Sequence, residues 1–163
     1  MGRAATPAIE ALIAAGIEHE VLAYRHDPRN RSFGVEAAAE LGRDHGFVAG
    51  QIFKTLVLTL PTGLAVAVLP VPATLSLKAA AAALGARKAA LAPPAEAHRS
   101  TGYVLGGISP LGQRTKLPTA IDSSALNWDR ILCSAGKRGL DVALAPRDLI
   151  DLSDAVLAEI AAG

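Results

Sequence analysis

Alternating apolar and polar side chains over residues 51–60 predict a β-strand with two distinct faces. Lys54 falls on the same face as Ile52 and Leu56, which is the more apolar of the two. Residues 64–71 follow a Pro-Thr-Gly turn and are apolar on both faces, as in a central strand. Two interpretations of Lys54 remain open: its ammonium reaches water from the strand end, or it binds an anion at the edge of a pocket.

Helical patterns with start and stop signals lie on both sides of these strands. One begins after Thr6, a second runs from Ser32 to Gly42, and an alanine-rich third begins at Ser76 or Thr74 and ends at Gly85. Shorter strands are predicted at residues 17–24, 89–92, 119–122, 130–134 and 140–144, and short helices after Pro93-Pro94, around Leu149 and around Val156. Because helices and strands mix without a regular βαβ alternation, we predict an α+β fold. It is one domain over residues 1–163, with a mixed, largely antiparallel sheet and flanking helices.

Composition and charge narrow the class of protein. Of the 163 residues, 51% are hydrophobic and 19% are charged, which excludes a disordered chain. The formal net charge of +1 argues against a protein that coats nucleic acid, although it leaves room for a local basic patch. The single cysteine, Cys133, excludes an intrachain disulfide and a cysteine zinc site. No run is apolar enough to span a membrane, so we expect a cytoplasmic protein with neither a membrane nor DNA as its partner.

Residues 106–112 read Gly-Gly-Ile-Ser-Pro-Leu-Gly and fit neither a helix nor a strand. Adjacent glycines leave the backbone without Cβ atoms, so a ligand can lie against bare amides. The segment is either a tight connection between core elements or a loop whose N–H groups face a carbonyl or phosphate oxygen. The pattern alone does not decide between the two.

Standard catalytic motifs are absent, since the sequence has no HExxH, no P-loop and no GxSxG. Cys133 lies among apolar strand residues, where a buried and inert thiol is expected. What remains are polar residues at strand ends and glycine loops: Tyr24, Lys54, Ser109 and Asp141. Basic residues beside the glycine loops predict a phosphate-binding rim: Arg99, Arg114, Lys116, Lys137 and Arg138.

Five short motifs follow one another along the chain. They are Tyr-Arg-His-Asp-Pro at 24–28, Phe-Lys-Thr-Leu at 53–56, Arg-Ser-Thr-Gly-Tyr at 99–103, the glycine loop at 106–112, and Lys-Arg-Gly-Leu-Asp at 137–141. In this order they resemble the YbaK-type aminoacyl-tRNA deacylases, which are free-standing relatives of the editing domain of bacterial prolyl-tRNA synthetases. The first and last motifs look like the Cys-tRNA(Pro) deacylase branch. The resemblance covers nearly the whole chain.

The resemblance implies a sheet curled into a partly open barrel and an enzyme that needs no metal or other cofactor. The implied reaction cleaves the ester that joins a wrong amino acid, chiefly cysteine, to the 3′ end of tRNA(Pro). In this family the substrate thiol is thought to attack its own ester carbonyl, so the protein acts by positioning. Aminoacyl-tRNA is the implied partner. Because a near-neutral chain binds tRNA weakly, we add the hypothesis that prolyl-tRNA synthetase presents the substrate.

The resemblance also assigns roles to individual residues. Lys54 is the implied essential lysine that holds the terminal ribose-phosphate, and Gly107 supplies backbone contacts near the scissile carbonyl. Tyr24 and Asp141 shape the amino-acid side of the pocket. Asp141 alternates with its neighbours Leu140 and Val142 and therefore faces away from the side that they bury. The implied substrate-binding set is completed by four residues: Phe33, Gly106, Ile108 and Ser109.

Two alternatives differ from this interpretation. One is a sister deacylase that removes alanine or another small residue from tRNA, and the other is a non-catalytic module that binds the end of an aminoacyl-tRNA. The connector at residues 43–50 is slightly longer than is usual in the family and bears on substrate choice.

Overall fold

The structure is a computed structural model and describes residues 5–162. Five α-helices lie in this part of the chain: α1 Pro7–Ala14, α2 Phe33–His45, α3 Leu77–Ala83, α4 Pro94–Thr101 and α5 Pro146–Ser153. The Thr6 hydroxyl accepts a hydrogen bond from the Ile9 amide at the start of α1, and Ser76 does the same for Ala79 at the start of α3. Both helices therefore begin where the sequence predicts.

The predicted end of α2 at Gly42 is wrong. The helix continues through this glycine and stops at Gly46, which has φ +76° and donates its N–H to the Gly42 carbonyl. One glycine inside a helix costs only about 1 kcal/mol, whereas a left-handed residue ends the hydrogen-bonding pattern.

Within the described residues, ten strands form three sheets. The strands are β1 His19–Ala23, β2 Phe53–Leu60, β3 Gly63–Pro70, β4 Thr74–Leu75, β5 Ala90–Leu91, β6 Thr119–Asp122, β7 Ile131–Lys137, β8 Leu140–Leu144, β9 Val156–Ala158 and β10 Ala161–Ala162. The largest sheet has the order β5-β2-β3-β6-β9, the second has the order β1-β8-β7, and β10 pairs with β4. The β3–β6 and β6–β9 pairs are parallel and the others are antiparallel. The prediction of a mixed, largely antiparallel α+β domain is confirmed.

The partly open barrel is not supported, because no sheet closes on itself in the described part of the chain. The two larger sheets are joined by a single parallel bridge between Ile52 and Leu132, which does not extend into a ladder. They pack instead around a shared apolar core in which Val57 and Val68 of one sheet meet Val142 of the other. Burial of this core, and not closure of the sheet, holds the two sheets together.

The short helix predicted around Val156 is also wrong, since this residue begins β9. Asp154 takes a left-handed conformation with φ +53° and ends α5. Residues 156–158 then pair in parallel with residues 120–122 of β6. Val156 has a β-branched side chain that suits a strand, and the pairing with a distant strand decides its conformation.

A second apolar cluster places α2 against the three-stranded sheet. Ala37 and Leu41 of the helix pack on Leu22 and Leu132 of β1 and β7, and on Ile52 just before β2. The N-terminus of α2 is therefore held beside the start of β2 and one face of β8. No helix within residues 5–162 combines the length and the apolar character needed to cross a membrane.

Candidate active site

A cleft of about 190 Å³ opens where the N-terminus of α2, the start of β2 and the glycine loop meet the three-stranded sheet. Six of the eight residues predicted to catalyse or bind line this cleft: Tyr24, Phe33, Lys54, Gly106, Ile108 and Asp141. Gly107 and Ser109 are not part of its lining. Residues from five separate segments thus converge on one concave space, as in small-ligand sites.

Lys54 forms one wall of the cleft. Its Nζ donates a hydrogen bond of 2.6 Å to the Ala73 carbonyl oxygen in the connection between β3 and β4. No carboxylate pairs with this ammonium within residues 5–162. Partial burial lowers the pKa of Lys54 from its ordinary value. The side chain therefore lies in the pocket wall as a half-buried cation without a counter-charge, a suitable partner for an anion.

Asp141 of β8 also lines the cleft, and in the strand register it lies across from Ser134 of β7 and Leu22 of β1. Only 4% of Asp141 is exposed, and no hydrogen bond to its carboxyl is found among the described residues. Burial without a partner raises the pKa of Asp141 to about 7. The carboxyl can therefore be protonated or ionised near neutral pH, according to what binds beside it.

Tyr24 stands next to this carboxyl, at the end of β1. Burial raises the pKa of Tyr24 to about 12, and the negative charges of Asp141 and, more weakly, Glu36 act in the same direction. The phenol therefore keeps its proton at neutral pH and offers an O–H donor to the cleft. Its position is fixed through the backbone, since the Tyr24 amide donates to the Gly139 carbonyl at 2.9 Å.

Gly106 is the glycine of the loop that faces the cleft. Its φ of +85° favours glycine, and a Cβ at this position would lie 2.5 Å from the Phe33 ring. Both the backbone angle and the contact with Phe33 therefore require a residue without a side chain. The loop brings its bare backbone against the aromatic ring that lines the cleft mouth.

Gly107 and Ser109 serve the loop itself in this structure. The Gly107 amide donates to the Val104 carbonyl at 2.8 Å, so it is not free to contact the carbonyl of a ligand as expected. A Cβ on Gly107 would lie 2.9 Å from the Arg138 backbone nitrogen, which makes this glycine a close-packing residue. Ser109 is fully buried, and its Oγ accepts a hydrogen bond from the Leu111 amide.

The predicted phosphate rim does not form one continuous surface. Arg138 lies at the cleft mouth, where its guanidinium carbon is 4.6 Å from the Phe33 ring centroid. Arg114 instead points to the Arg99 carbonyl, and Lys116 pairs with Asp154. Lys137 is an exposed residue at the end of β7. Of the five basic residues, Arg138 is the one that contacts a residue of the cleft lining.

Sequence reasoning missed three residues that shape the site. Glu36 is buried and accepts hydrogen bonds from His26 Nδ1 at 2.6 Å and from the Asp27 amide at 2.8 Å, so the His-Asp-Pro motif ties the 24–28 segment to α2. Thr55 lies in the cleft wall, and its hydroxyl oxygen is fully buried without a hydrogen-bond partner within residues 5–162. The third is Arg31.

The sequence held a usable signal for one of these three residues, Arg31. Arg31 is exposed, and its guanidinium carbon lies 4.9 Å from the Phe33 centroid. The useful signal for Arg31 was its position immediately before the predicted start of α2. The contacts of Glu36 and Thr55 depend on the packed structure.

No group of three or more histidine, cysteine or acidic side chains in the described part of the chain could hold a metal ion. Cys133 is buried in the shared core, and burial raises the pKa of its thiol. Ser134 lines the cleft, but its Oγ already accepts a hydrogen bond from the Gly136 amide. The site therefore presents a cation, a phenol and a buried carboxyl around a small space, and these groups suit binding and positioning of a polar, anionic substrate.

Comparison with known proteins defines the class. Residues 33–152 match the aminoacyl-tRNA editing domain family, a range that includes Lys54, the glycine loop and Asp141. The chain is 38% identical over 125 residues to a candidate Cys-tRNA(Pro)/Cys-tRNA(Cys) deacylase, EbsC, of Enterococcus faecalis, and the match covers 76% of each chain. The protein belongs to the aminoacyl-tRNA editing domain family.

Solved structures with the same fold support this assignment at the level of architecture. A candidate trans-editing enzyme for prolyl-tRNA synthetase superimposes with a TM-score of 0.80 at 24% identity, over 99% of this chain and 100% of the other. The hypothetical protein APE2540 gives a TM-score of 0.83 at 24% identity, over 96% of this chain and 100% of the other. At such identities the likeness shows the fold alone.

Proposed function

We propose that this protein is a trans-editing deacylase that removes mischarged amino acid, chiefly cysteine, from tRNA(Pro). Membership of the editing family and the 38% identity to EbsC support the reaction class. The observation that carries the proposal is the cleft itself. It sets the half-buried Lys54 cation, without a counter-charge in residues 5–162, on the same small space as the buried carboxyl of Asp141 and the phenol of Tyr24.

In the proposed binding mode the two walls contact different parts of the substrate. Lys54 binds the anionic end of the tRNA, since its ammonium retains hydrogen-bond donors beyond the one used by Ala73. Tyr24 and Asp141 contact the aminoacyl group. Bringing the substrate ammonium against Asp141 favours the carboxylate form, because an opposite charge lowers the pKa that burial has raised.

The proposed chemistry needs no protein nucleophile. The substrate sulfur attacks its own ester carbonyl, a C–S bond forms, the ester C–O bond breaks, and the thiol proton ends on the ribose oxygen. The products are a cyclic thiolactone and free tRNA. The occupied hydroxyl of Ser134 and the buried thiol of Cys133 agree with this route. The cleft contributes by folding the aminoacyl group into the attack geometry.

The domain limits, the partner and the location complete the proposal. We infer that the editing domain spans residues 1–163, because α1 packs on the shared core through Ala8, Ile9 and Leu12 although it precedes the matched range. A net charge of +1 predicts weak tRNA binding, which supports presentation of the substrate by prolyl-tRNA synthetase. Charged tRNA and the synthetase place the reaction in the cytoplasm.

A panel of charged tRNAs tests the substrate assignment. We expect Cys-tRNA(Pro) to be deacylated at least about tenfold faster than Ser-tRNA(Pro) or Ala-tRNA(Pro), because only cysteine carries a strong internal nucleophile. Serine is the matched control, since it has nearly the same shape. The measurement is release of labelled amino acid, with mass spectrometry to detect the thiolactone. Faster release of alanine would assign the protein to the sister deacylase activity, and binding without release would leave a non-catalytic module.

Replacing Gly106 with alanine should lower both stability and deacylation. A left-handed alanine costs about 1–2 kcal/mol, and its Cβ would also displace the Phe33 ring from the cleft mouth. Gly85→Ala is the matched control, because Gly85 has φ +75° and no atom within 4 Å of its Cβ position. Urea unfolding should show a loss in both variants, whereas the deacylation rate should fall only in Gly106→Ala. Equal rates would remove the role of Gly106 at the site.

A further inference from the structure

Two arginines share one aromatic ring at the mouth of the cleft. The guanidinium carbon of Arg138 lies 4.6 Å from the Phe33 centroid and that of Arg31 lies 4.9 Å from it. The two residues belong to distant segments, since Arg31 precedes α2 and Arg138 follows β7. Phe33 is half-buried and lines the cleft, so both positive groups are held at its entrance.

Neither guanidinium is neutralised. Arg31 and Arg138 form no ion pair within residues 5–162. Arg138 uses its Nε to donate to the Leu105 carbonyl at 2.7 Å, which fixes the side chain and leaves its terminal nitrogens for a ligand. Arg31 makes no hydrogen bond through its guanidinium in the described residues. Both guanidiniums therefore keep a positive charge and unused N–H donors beside the same ring within residues 5–162, and both attract an anion.

The nearest carboxylates do not supply that anion. Glu36 is buried and is already bonded to His26 and to the Asp27 amide. The Asp27 side chain accepts from the Arg29 amide, and Asp141 lies inside the cleft. The Ser32 side chain makes no capping hydrogen bond at the start of α2, so the partial positive charge of the helix end adds to the same field. Neither guanidinium is therefore paired with a carboxylate of the described residues, and both remain available to a ligand anion.

We propose that Arg31 and Arg138, held on Phe33, form a phosphodiester-binding site for the single-stranded 3′ end of the tRNA. The proposal rests on the proposed function, since that function places the terminal ester inside the cleft. A chain whose terminal ribose-phosphate is held by Lys54 must carry the next phosphodiester upstream past the mouth, where guanidinium groups bind phosphate through paired N–H donors. Phe33 keeps the two side chains in place through cation–π contacts. The site is separate from Lys54, whose ammonium contacts the Ala73 carbonyl in the cleft wall.

A binding experiment with uncharged RNA tests the site without requiring catalysis. The probe is an acceptor-stem minihelix with its single-stranded CCA end, and the control probe is the same minihelix without CCA. We expect Arg31→Gln and Arg138→Gln each to weaken binding of the CCA probe about tenfold. Each change should also reduce the slope of log K against log salt by up to about 0.7, which is the value for the one phosphate that the two arginines share. Binding of the control probe should be unchanged.

The matched control variant is Arg87→Gln, which removes the same charge from an exposed position outside the cleft lining. Arg31→Gln is the sharper of the two test variants, because Arg31 is exposed and its guanidinium holds no hydrogen bond within residues 5–162, so its replacement leaves the fold intact. Circular dichroism checks this. Equal losses on both probes, no loss, or a wild-type protein that does not distinguish the probes would each overturn the proposal.

The two proposals can fail independently. If wild-type protein deacylates charged tRNA while Arg31→Gln binds the CCA probe as tightly as wild type, the phosphodiester site is wrong and the proposed function stands. If CCA binding depends on both arginines but no charged tRNA is deacylated, the proposed function is wrong and the site stands.

Discussion

Replacing Lys54 with alanine should reduce deacylation of Cys-tRNA(Pro) by about 10²–10³-fold, the loss seen when one well-placed donor is removed from an enclosed site. Lys54 is the cation inside the cleft lining, and the only contact its ammonium makes within residues 5–162 is with the Ala73 carbonyl. Without it the anionic end of the substrate has no partner in the wall. The measurement is kcat/KM for release of labelled cysteine, with folding checked by circular dichroism.

Lys78→Ala is the matched control, because Lys78 is an exposed lysine of α3 outside the cleft lining and its loss should leave the rate unchanged. A second readout is the pH profile. Burial lowers the pKa of Lys54, so activity that needs the ammonium should decline on the alkaline side at a lower pH than for an ordinary lysine. A Lys54→Ala enzyme with wild-type kcat/KM would remove the proposed role of this residue.

Local sequence signals predicted the parts of the fold that depend on neighbouring residues. The alternation in residues 51–60 placed Lys54 on a defined strand face, and the structure puts this side chain in the cleft wall. Thr6 and Ser76 cap their helices as predicted. In each case the side chain acts within three residues or through the two-residue period of a strand, so the pattern is sufficient.

Long-range pairing produced the errors at Val156 and in the phosphate rim. Val156 forms a strand because β6 lies beside it, and the residues near Val156 in the sequence do not indicate that pairing. The basic residues were grouped by their nearness to glycine loops, but Lys116 pairs with Asp154, 38 residues away, and faces α5. Arg31 was overlooked for the same reason, since only the packed structure brings Arg138 to the Phe33 ring that Arg31 also contacts.

The glycine loop shows a finer limit of sequence reasoning. The pattern of two adjacent glycines left open a tight connection or a loop with amides facing a ligand, and the structure shows what each glycine does. Gly106 makes room for Phe33, and the Gly107 amide closes a turn onto Val104. Both uses demand the absence of a Cβ, so composition alone cannot separate an amide that binds a ligand from an amide that closes a turn. Hydrogen-bond partners decide that question.

Replacing Asp141 with asparagine should stabilise the folded protein at alkaline pH. The folded state holds the Asp141 proton up to about pH 7, whereas an exposed carboxyl in the unfolded chain releases it near 3.8. The stability that this group contributes is therefore present in full below pH 3.8 and is lost as pH rises through 7. The loss at pH 8 is about 4 kcal/mol, from 1.36 kcal/mol for each pH unit between the two pKa values.

Asparagine has nearly the same size as aspartate and cannot ionise, so the variant escapes this loss. The difference in free energy of unfolding, Asp141→Asn minus wild type, should rise by about 4 kcal/mol between pH 4 and pH 8, measured by urea unfolding. Asp129→Asn, at an exposed position, should show a flat difference. A flat difference for Asp141→Asn would mean that the carboxyl is stabilised by a partner or by water. Asp141 would then contribute less free energy to binding the substrate ammonium. A cation stabilises a buried carboxylate most when that carboxylate has no other partner.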